Sequence, residues 1–210
     1  MNKVNEICPY GEKFQPYWDL RYDFFSKFDE GIKIDKEGLY SVKPEKSAFE
    51  IAKHMVGDVV VDAFGGVGGS AIAFAMTGKK VISIELNQKR SEYARNNAQV
   101  YGVYDQIEFI NGDCLEVIPK LKFDSIYFDP PWGGINYYKT SAFKMNGFSP
   151  NGMKLIEIAK KNNSFLGFTV PNNFDYNEVS SLAKDFYVHF DFLEEKKLYS
   201  TFYIDFGEKN

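Results

Sequence analysis

The chain has 210 residues, of which 44% are apolar and 26% charged, so it is long enough for one α/β core and too short for two comfortable domains. Aromatic residues reach 17%, with 20 Phe and 14 Tyr, and most of them must lie in the core. The formal charge of −4 argues against a general polyanion binder covered in lysine, so a nucleic-acid partner would be bound at a short, specific feature.

The two cysteines, Cys8 and Cys114, have neither the spacing of a metal site nor that of a disulfide framework. We therefore expect reduced thiols, an intracellular protein and no bound metal. The first residues lack the apolar segment of a signal peptide, and no apolar run reaches membrane length. The composition thus predicts a soluble protein, and we expect a monomer.

Residues 1–51 differ in pattern from the rest of the chain and are predicted to form a helical appendage or lid on a main domain of residues 52–210. Pro16 to Phe28 is predicted to be a short helix opened by a proline. Ile32 to Val42 is predicted to be extended, and Glu45 to Met55 to be a second helix that also follows a proline.

From residue 58 onward, short apolar runs alternate with helical segments. Such alternation implies parallel strands joined by helical crossovers that cover both faces of a sheet. We predict strands at Val59–Val61, Val81–Ile84, Ile107–Ile110, Ser125–Phe128 and Phe165–Val170, and helices at Gly68–Thr77 and Gln88–Tyr101.

The end of the chain has a different pattern. Phe186–Leu193 and Leu198–Phe206 flank the charged turn Glu194–Lys197, which predicts an antiparallel hairpin at one edge of the sheet. The expected fold class is therefore α/β, with a Rossmann-like, mostly parallel seven-stranded sheet, an antiparallel C-terminal hairpin and a small helical N-terminal appendage.

Four successive predicted strands each end in an acid, at Asp62, Glu85, Asp113 and Asp129. Any one of them could be a helix cap or a solvated turn, but in open α/β sheets ligands bind outside the carboxyl ends of the strands. A glycine-rich loop directly follows Asp62 and lacks the Gly-Lys-Ser/Thr of a phosphate loop. An acid at this position would repel a pyrophosphate but suits the ammonium of an amino-acid moiety, and Glu85 can take the two hydroxyls of a ribose.

The fourth strand runs into the segment Asp129-Pro130-Pro131-Trp132-Gly133-Gly134. Two prolines fix the backbone here, so the Asp129 carboxylate and the Pro130 carbonyl can both accept from one planar amino group. An exocyclic base amine needs such acceptors, because its lone pair is delocalised into the ring. Trp132 would supply an aromatic face beside them, although a bare Asp-Pro-Pro is also typical of a tight turn.

These motifs together resemble the class I S-adenosylmethionine-dependent methyltransferases. The resemblance implies that the glycine loop meets the amino-acid part of the cofactor, that Glu85 meets the ribose and Asp113 the adenine, and that the segment beginning at Asp129 receives the amine. The implied cofactor-binding residues are Asp62, Phe64, Gly66, Gly68, Glu85, Asp113 and Asp129, and the implied catalytic residues are Asp129, Pro130 and Trp132.

A closer resemblance, over about residues 16–206, is to the trimethylguanosine synthase family. It rests on the segments Phe28–Lys33, Ser41–Lys46, Val59–Phe64, Arg95–Ala98 and Pro130–Gly134. It implies transfer of methyl from S-adenosylmethionine to N2 of the 7-methylguanosine cap of RNA, with S-adenosylhomocysteine as product, and nuclear location in a eukaryotic host.

The chain departs from the animal members of that family at four positions. It has Asp129 where they carry Ser, Gly65 where they carry Cys, Glu85 where they carry Asp, and Lys43 where they carry Thr. Asp129 keeps open a ribosomal guanine-N2 or an adenine-N6 methyltransferase as an alternative. A non-catalytic cap-binding module is a third reading, which the intact Asp129-Pro130-Pro131 disfavours.

The resemblance also implies a substrate side. Trp132 would stack on the cationic 7-methylguanine, Lys33 and Lys43 would meet the cap triphosphate, and Arg21 is a weaker candidate. Asn172 could meet a base edge or the RNA, or simply form the turn after its strand. A lysine taken alone has a solvated surface role as its ordinary alternative, and a tryptophan a core role.

Overall fold

A seven-stranded sheet in the order β3-β2-β1-β4-β5-β7-β6 forms the centre of the computed structural model. The structure describes residues 6–133, 141–162, 164–183, 185–193 and 196–207. The strands are β1 (Val59–Asp62), β2 (Lys80–Glu85), β3 (Ile107–Asn111), β4 (Ser125–Phe128), β5 (Phe165–Pro171), β6 (Tyr187–Leu193) and β7 (Lys196–Asp205).

Helices cover both faces of this sheet. Successive side chains of a strand point to opposite faces, so Val60 packs into the core on one side of β1 and Val61 into the core on the other. Among the described residues, no helix is long and apolar enough to cross a membrane. The helices are α1 (Gln15–Asp19), α2 (Arg21–Phe24), α3 (Lys36–Ser41), α4 (Glu45–His54), α5 (Gly69–Met76), α6 (Gln88–Tyr101), α7 (Cys114–Val117), α8 (Gly152–Lys161) and α9 (Asn177–Ser180).

The central strands confirm the predicted parallel sheet. β1 pairs in parallel with both β2 and β4, and all four residues of β4 are buried, as a strand covered on both faces requires. The predicted strand boundaries are correct to within one or two residues, which is the normal uncertainty at the end of an element.

The predicted antiparallel ending is also confirmed. β7 lies between β5 and β6 and runs antiparallel to both. Of the predicted turn, Glu194 and Glu195 lie outside the described residues. The last two strands thus turn an otherwise parallel sheet into a mixed one.

The predicted helix over Pro16 to Phe28 is wrong, because the chain breaks it into α1 and α2. At Leu20 the backbone leaves the helix with φ −90° and ψ 4°. The Arg21 guanidinium, instead of a backbone N–H four residues on, donates to the Trp18 carbonyl at 2.9 Å. Phe25 then ends α2 in an extended conformation.

The predicted extended segment over Ile32 to Val42 is also wrong, since residues 36–41 form α3. Asp35 is its N-cap, and its carboxylate accepts from the Gly38 N–H at 2.7 Å. The Asp35 cap stabilises the start of a helix in a segment predicted to be extended.

The N-terminal segment shares one core with the sheet. Phe25 and Leu39 are buried in the same cluster as Val60. The predicted division after residue 51 falls inside α4, and the two-unit description stays a prediction.

A buried amide fastens this segment to the main body. The Asn97 side chain, fully buried in α6, accepts from the Lys33 N–H at 2.7 Å and donates to the Lys33 carbonyl at 2.8 Å and to the Val67 carbonyl at 2.9 Å. One side chain therefore holds both the N-terminal segment and the loop after β1.

Replacing Asn97 with Ala leaves the buried Val67 carbonyl and the partly buried Lys33 N–H and carbonyl without this partner, and is expected to lower the free energy of unfolding by about 2–4 kcal/mol. Denaturant titration measures the change. Gln99→Ala, at an exposed position of the same helix, is the control and should stay within about 0.5 kcal/mol of the wild type. Equal stability of the two variants would contradict the fastening role.

Candidate active site

The structure brings two carboxylates together at one edge of the sheet. β1 and β4 are neighbouring parallel strands, with Asp62 opposite Tyr127, so Asp62 and Asp129 both follow the carboxyl ends of their strands. This is the edge at which open α/β sheets bind ligands. Of the four acids predicted to meet at this edge, Asp62 and Asp129 follow the two central strands, β1 and β4.

The loop between β1 and α5 is a tight glycine turn. Gly66 and Gly68 have φ of 52° and 97°, which favour glycine. A side chain at Gly68 would also place its Cβ 3.1 Å from the Ala94 Cα. The loop can therefore lie close to α6 and present its backbone to a ligand.

Asp62 is the most unusual group at this edge. It is 1% exposed, and neither of its carboxylate oxygens has a hydrogen-bond partner among the described residues. Burial raises the pKa of Asp62 to about 7 and Asp129 raises it further, whereas the nearby Phe64 N–H, which does not reach hydrogen-bond geometry, lowers it. A buried, unsatisfied carboxylate is what the ammonium of an amino-acid moiety would satisfy, so this residue fits the implied cofactor.

Glu85 and Asp113 have structural partners of their own. The Glu85 carboxylate accepts from the Gly66 N–H and the Asn87 N–H, both at 2.8 Å, and so braces the glycine loop. Asp113 is the N-cap of α7 and accepts from the Leu115 N–H at 2.8 Å. Their contacts with ribose and adenine stay predictions.

Asp129 lies against Lys43. One Asp129 carboxylate oxygen, Oδ2, accepts from the Lys43 ammonium in a short ion pair, and the two side chains are 21% and 4% exposed. The same ammonium lies 5.0 Å from the centre of the Tyr199 ring and 5.6 Å from that of Tyr127. Lys43, expected at the cap triphosphate, is instead buried beside the acid that would receive the amine.

Trp132 and Pro130 follow Asp129 in the same segment. Pro130 is buried, and Trp132 is partly buried and packs against the cores on both faces of the sheet. Gly133 has φ 80°, and Gly134 lies outside the described residues. Phe64, from the glycine loop, places its ring 6.2 Å from that of Phe128.

The remaining predicted substrate residues are spread over the surface and the appendage. Lys33 is exposed, and Asn172 is exposed directly after β5. Arg21 is only 6% exposed: it pairs with Glu6 at 2.8 Å and lies 4.9 Å above the Trp18 ring. Arg21 therefore stabilises the appendage and is not free to meet a phosphate.

Two structural contributions were not predicted. Asn97 holds the glycine loop, and the signal for it was a polar residue between Ala94 and Ala98 on the buried face of α6. Lys43 supplies the cation next to Asp129, and no local pattern marks it, because the partners are 86 residues apart. Within the described ranges, no group of three His, Cys, Asp or Glu side chains could hold a metal ion.

A mixed sheet of this order, with a glycine loop after β1 and acids at the ends of its strands, defines a class I S-adenosylmethionine-dependent methyltransferase. A model of the family described as RNA cap guanine-N2 methyltransferase matches residues 57–205. The chain belongs to this family, and its cofactor is S-adenosylmethionine.

The relatives agree with this assignment. The trimethylguanosine synthase of Schizosaccharomyces pombe is 35% identical over 187 residues, which cover 83% of this chain and 78% of that protein. That of Saccharomyces cerevisiae is 30% identical over 189 residues, covering 82% and 59%. A solved structure of a putative methyltransferase from Porphyromonas gingivalis has a TM-score of 0.75 at 19% identity, covers 98% of this chain and 53% of that one, and supports the fold.

We expect cofactor affinity to depend on the ionisation of Asp62. Because its pKa is about 7 in the free chain and an ammonium favours the carboxylate, the dissociation constant should rise up to about tenfold per unit as pH falls below 7. Asp62→Asn should bind about 10–100-fold more weakly, without this pH dependence. Isothermal titration with S-adenosylhomocysteine between pH 5 and 7 measures both.

The same ionisation acts on stability in the opposite direction. In the free chain, Asp62 binds its proton more tightly than an unfolded Asp does, so its contribution to stability should decline as pH rises from about 4 through about 7. Asp62→Asn should remove this decline in stability.

Asp58→Asn, at an exposed position before β1, is the matched control for both predictions. Equal pH profiles of cofactor affinity for Asp62→Asn and Asp58→Asn would contradict the role of Asp62.

Proposed function

We propose that this chain transfers methyl from S-adenosylmethionine to N2 of 7-methylguanosine at the 5′ cap of RNA, and that two successive transfers form 2,2,7-trimethylguanosine. The observation that carries the proposal is the meeting of Asp62 with the segment Asp129–Trp132 at one sheet edge, in a chain of the cap guanine-N2 family. Asp62 suits the ammonium of the methyl donor, and the segment Asp129–Trp132 suits a planar amine.

On the donor side, the residues bind and orient S-adenosylmethionine. Asp62 is the counter-ion for the cofactor ammonium, and the Gly66–Gly68 turn lets the backbone approach it. Glu85, at the end of β2, and Asp113, after β3, would meet the ribose and the adenine. When bound, S-adenosylmethionine supplies an activated methyl on a sulfonium, so the chemistry needs alignment rather than a strong base.

On the acceptor side, the Asp129 carboxylate and the Pro130 carbonyl take the two hydrogens of the guanine amine and turn its lone pair toward the methyl. A bond forms between N2 and the methyl carbon while the carbon–sulfur bond breaks, with its electron pair left on sulfur. The amine then loses one proton to water. Both acceptors sit on a backbone that two prolines keep rigid, which preserves this alignment.

Trp132 provides the reason for a methylated cap. A 7-methylguanine carries a delocalised positive charge, and an indole face attracts such a cation in addition to stacking on it. Trp132 lies two residues after Pro130 and is partly exposed, so we expect a base stacked on it to bring its N2 toward Asp129. Lys33, exposed, is a candidate for the triphosphate, and Asn172, at the end of β5, for the RNA.

A second candidate is methylation of guanine N2 in another RNA. Asp129, in place of the Ser of the animal enzymes, matches the broader pattern of base-amine methyltransferases. Transfer to uncapped RNA in preference to capped RNA would favour this candidate.

We further propose that the chain acts as a monomer and, in a eukaryotic host, in the nucleus.

Transfer of labelled methyl to a 7-methylguanosine-capped dinucleotide, beside the same cap without the N7 methyl, tests the proposed function. The wild type should methylate the first and discriminate strongly against the second. Trp132→Ala should lose about 1–3 kcal/mol of stacking, or about 5–150-fold in kcat/KM, mostly on the N7-methylated cap. Trp132→Phe keeps an aromatic face and should retain more activity. Near-normal turnover by Trp132→Ala would overturn the stacking role.

A further inference from the structure

We propose that Lys43 is a positioning residue that holds one oxygen of Asp129 and so dedicates the other oxygen to the base amine. The inference rests on the proposed function, since it concerns how the acceptor acid of that reaction is oriented. The observation behind it is the buried ion pair between the Lys43 ammonium and Asp129 Oδ2.

The pair is built into the fold. Lys43 is the second residue before α4 and reaches across to the end of β4, 86 positions along the chain. Its side chain is only 4% exposed, whereas that of Asp129 is 21% exposed. The lysine therefore faces the interior, and Asp129 is the partner that keeps access to the site.

Other groups near Lys43 do not replace Asp129 as its partner. The faces of the buried Tyr127 and Tyr199 rings lie 5.6 Å and 5.0 Å from its ammonium, which stabilises a cation but does not neutralise it. Asp191, on β6, is close enough to interact electrostatically. However, no ion pair among the described residues joins Asp191 to Lys43, and the Asp191 carboxylate lies 3.8 Å from His189 Nε2 instead.

Orientation follows from the pair. A free carboxylate can rotate and offer either oxygen to several donors, but an ammonium on Oδ2 fixes its plane. The second oxygen, Oδ1, is then left for the hydrogen of the amine. The Lys43 cation also offsets the repulsion between the neighbouring carboxylates of Asp129 and Asp62.

The ion pair leads to a prediction that distinguishes an orienting role of Lys43 from a purely electrostatic one. In Asp129→Asn, Lys43 would take the only side-chain oxygen of the new amide, which then turns its NH2 toward the amine of the base. Two donors would face each other, and transfer should fail. Removing Lys43 as well frees that amide oxygen for the base. The double variant should therefore be more active than Asp129→Asn alone.

The experiment measures kcat and KM on the 7-methylguanosine-capped dinucleotide for Lys43→Met, Asp129→Asn and the double variant. Each single variant should lose about 30-fold or more in kcat, with KM for the cap changed less than about threefold. The double variant should regain about tenfold or more over Asp129→Asn, against the multiplied losses expected of independent sites. Lys53→Met, an exposed lysine of α4 paired with Glu50, is the control and should match the wild type.

Thermal unfolding of each variant, and titration of its active fraction with S-adenosylhomocysteine, correct for misfolding. A kcat of Lys43→Met within twofold of the wild type, per folded molecule, would overturn the proposal, as would a double variant no better than Asp129→Asn. If the wild type methylates another base amine instead of the cap, the proposed function fails. The same variants are then compared on that substrate, and Lys43 is judged separately.

Discussion

Two neighbouring carboxylates, Asp62 and Asp129, at the carboxyl edge of the sheet determine how the surrounding residues are arranged. Parallel pairing of β1 with β4 puts Asp62 and Asp129 at one edge, where Asp62 is fully buried and Asp129 is partly buried. A charge on Asp62 is therefore costly without a partner. Asp62 has no partner of its own in the described chain, and Asp129 has Lys43. The protein thus supplies the cation that pairs with Asp129, and Asp62 is left to pair with a cation of the ligand.

The surrounding parts can be understood as supports for this pair of acids. Glu85 holds the Gly66 N–H and so shapes the loop beside Asp62. Asn97 holds the other side of that loop through the Val67 carbonyl, while also binding the backbone of Lys33. The N-terminal segment therefore does more than cover the sheet, because it delivers both Lys43 and the contacts of Asn97 to the active edge.

Much of the fold could be predicted from the sequence because its signals are local. Apolar runs such as Ser125–Phe128 and the motif after Asp62 mark buried parallel strands and a ligand loop, and the paired apolar runs at the C-terminus mark a hairpin. Two predictions failed where a side chain binds a nearby backbone group: Asp35 begins a helix in a segment predicted to be extended, and Arg21 takes the Trp18 carbonyl where a longer helix was predicted.

The candidate site was predictable as a set of acids, but not as a set of contacts. The residues at the strand ends follow from topology, since the carboxyl ends of parallel strands meet at one edge. The burial of Arg21 depends on how the N-terminal segment folds around its ion pair with Glu6, and the pairing of Lys43 with Asp129 joins positions 86 residues apart. A lysine or arginine in a sequence carries no mark of whether its partner is a phosphate or a buried carboxylate.

The most direct test of this account is the identity of the methylated nucleoside. A 7-methylguanosine-capped RNA with an ordinary internal sequence is incubated with the chain and labelled S-adenosylmethionine, digested to nucleosides and cap, and separated. If the chain is a cap guanine-N2 methyltransferase, we expect label at N2 of the 7-methylguanosine of the cap, with internal guanosine and adenosine unlabelled. Label in internal guanosine or adenosine, with an unlabelled cap, would keep the fold and cofactor and contradict cap methylation.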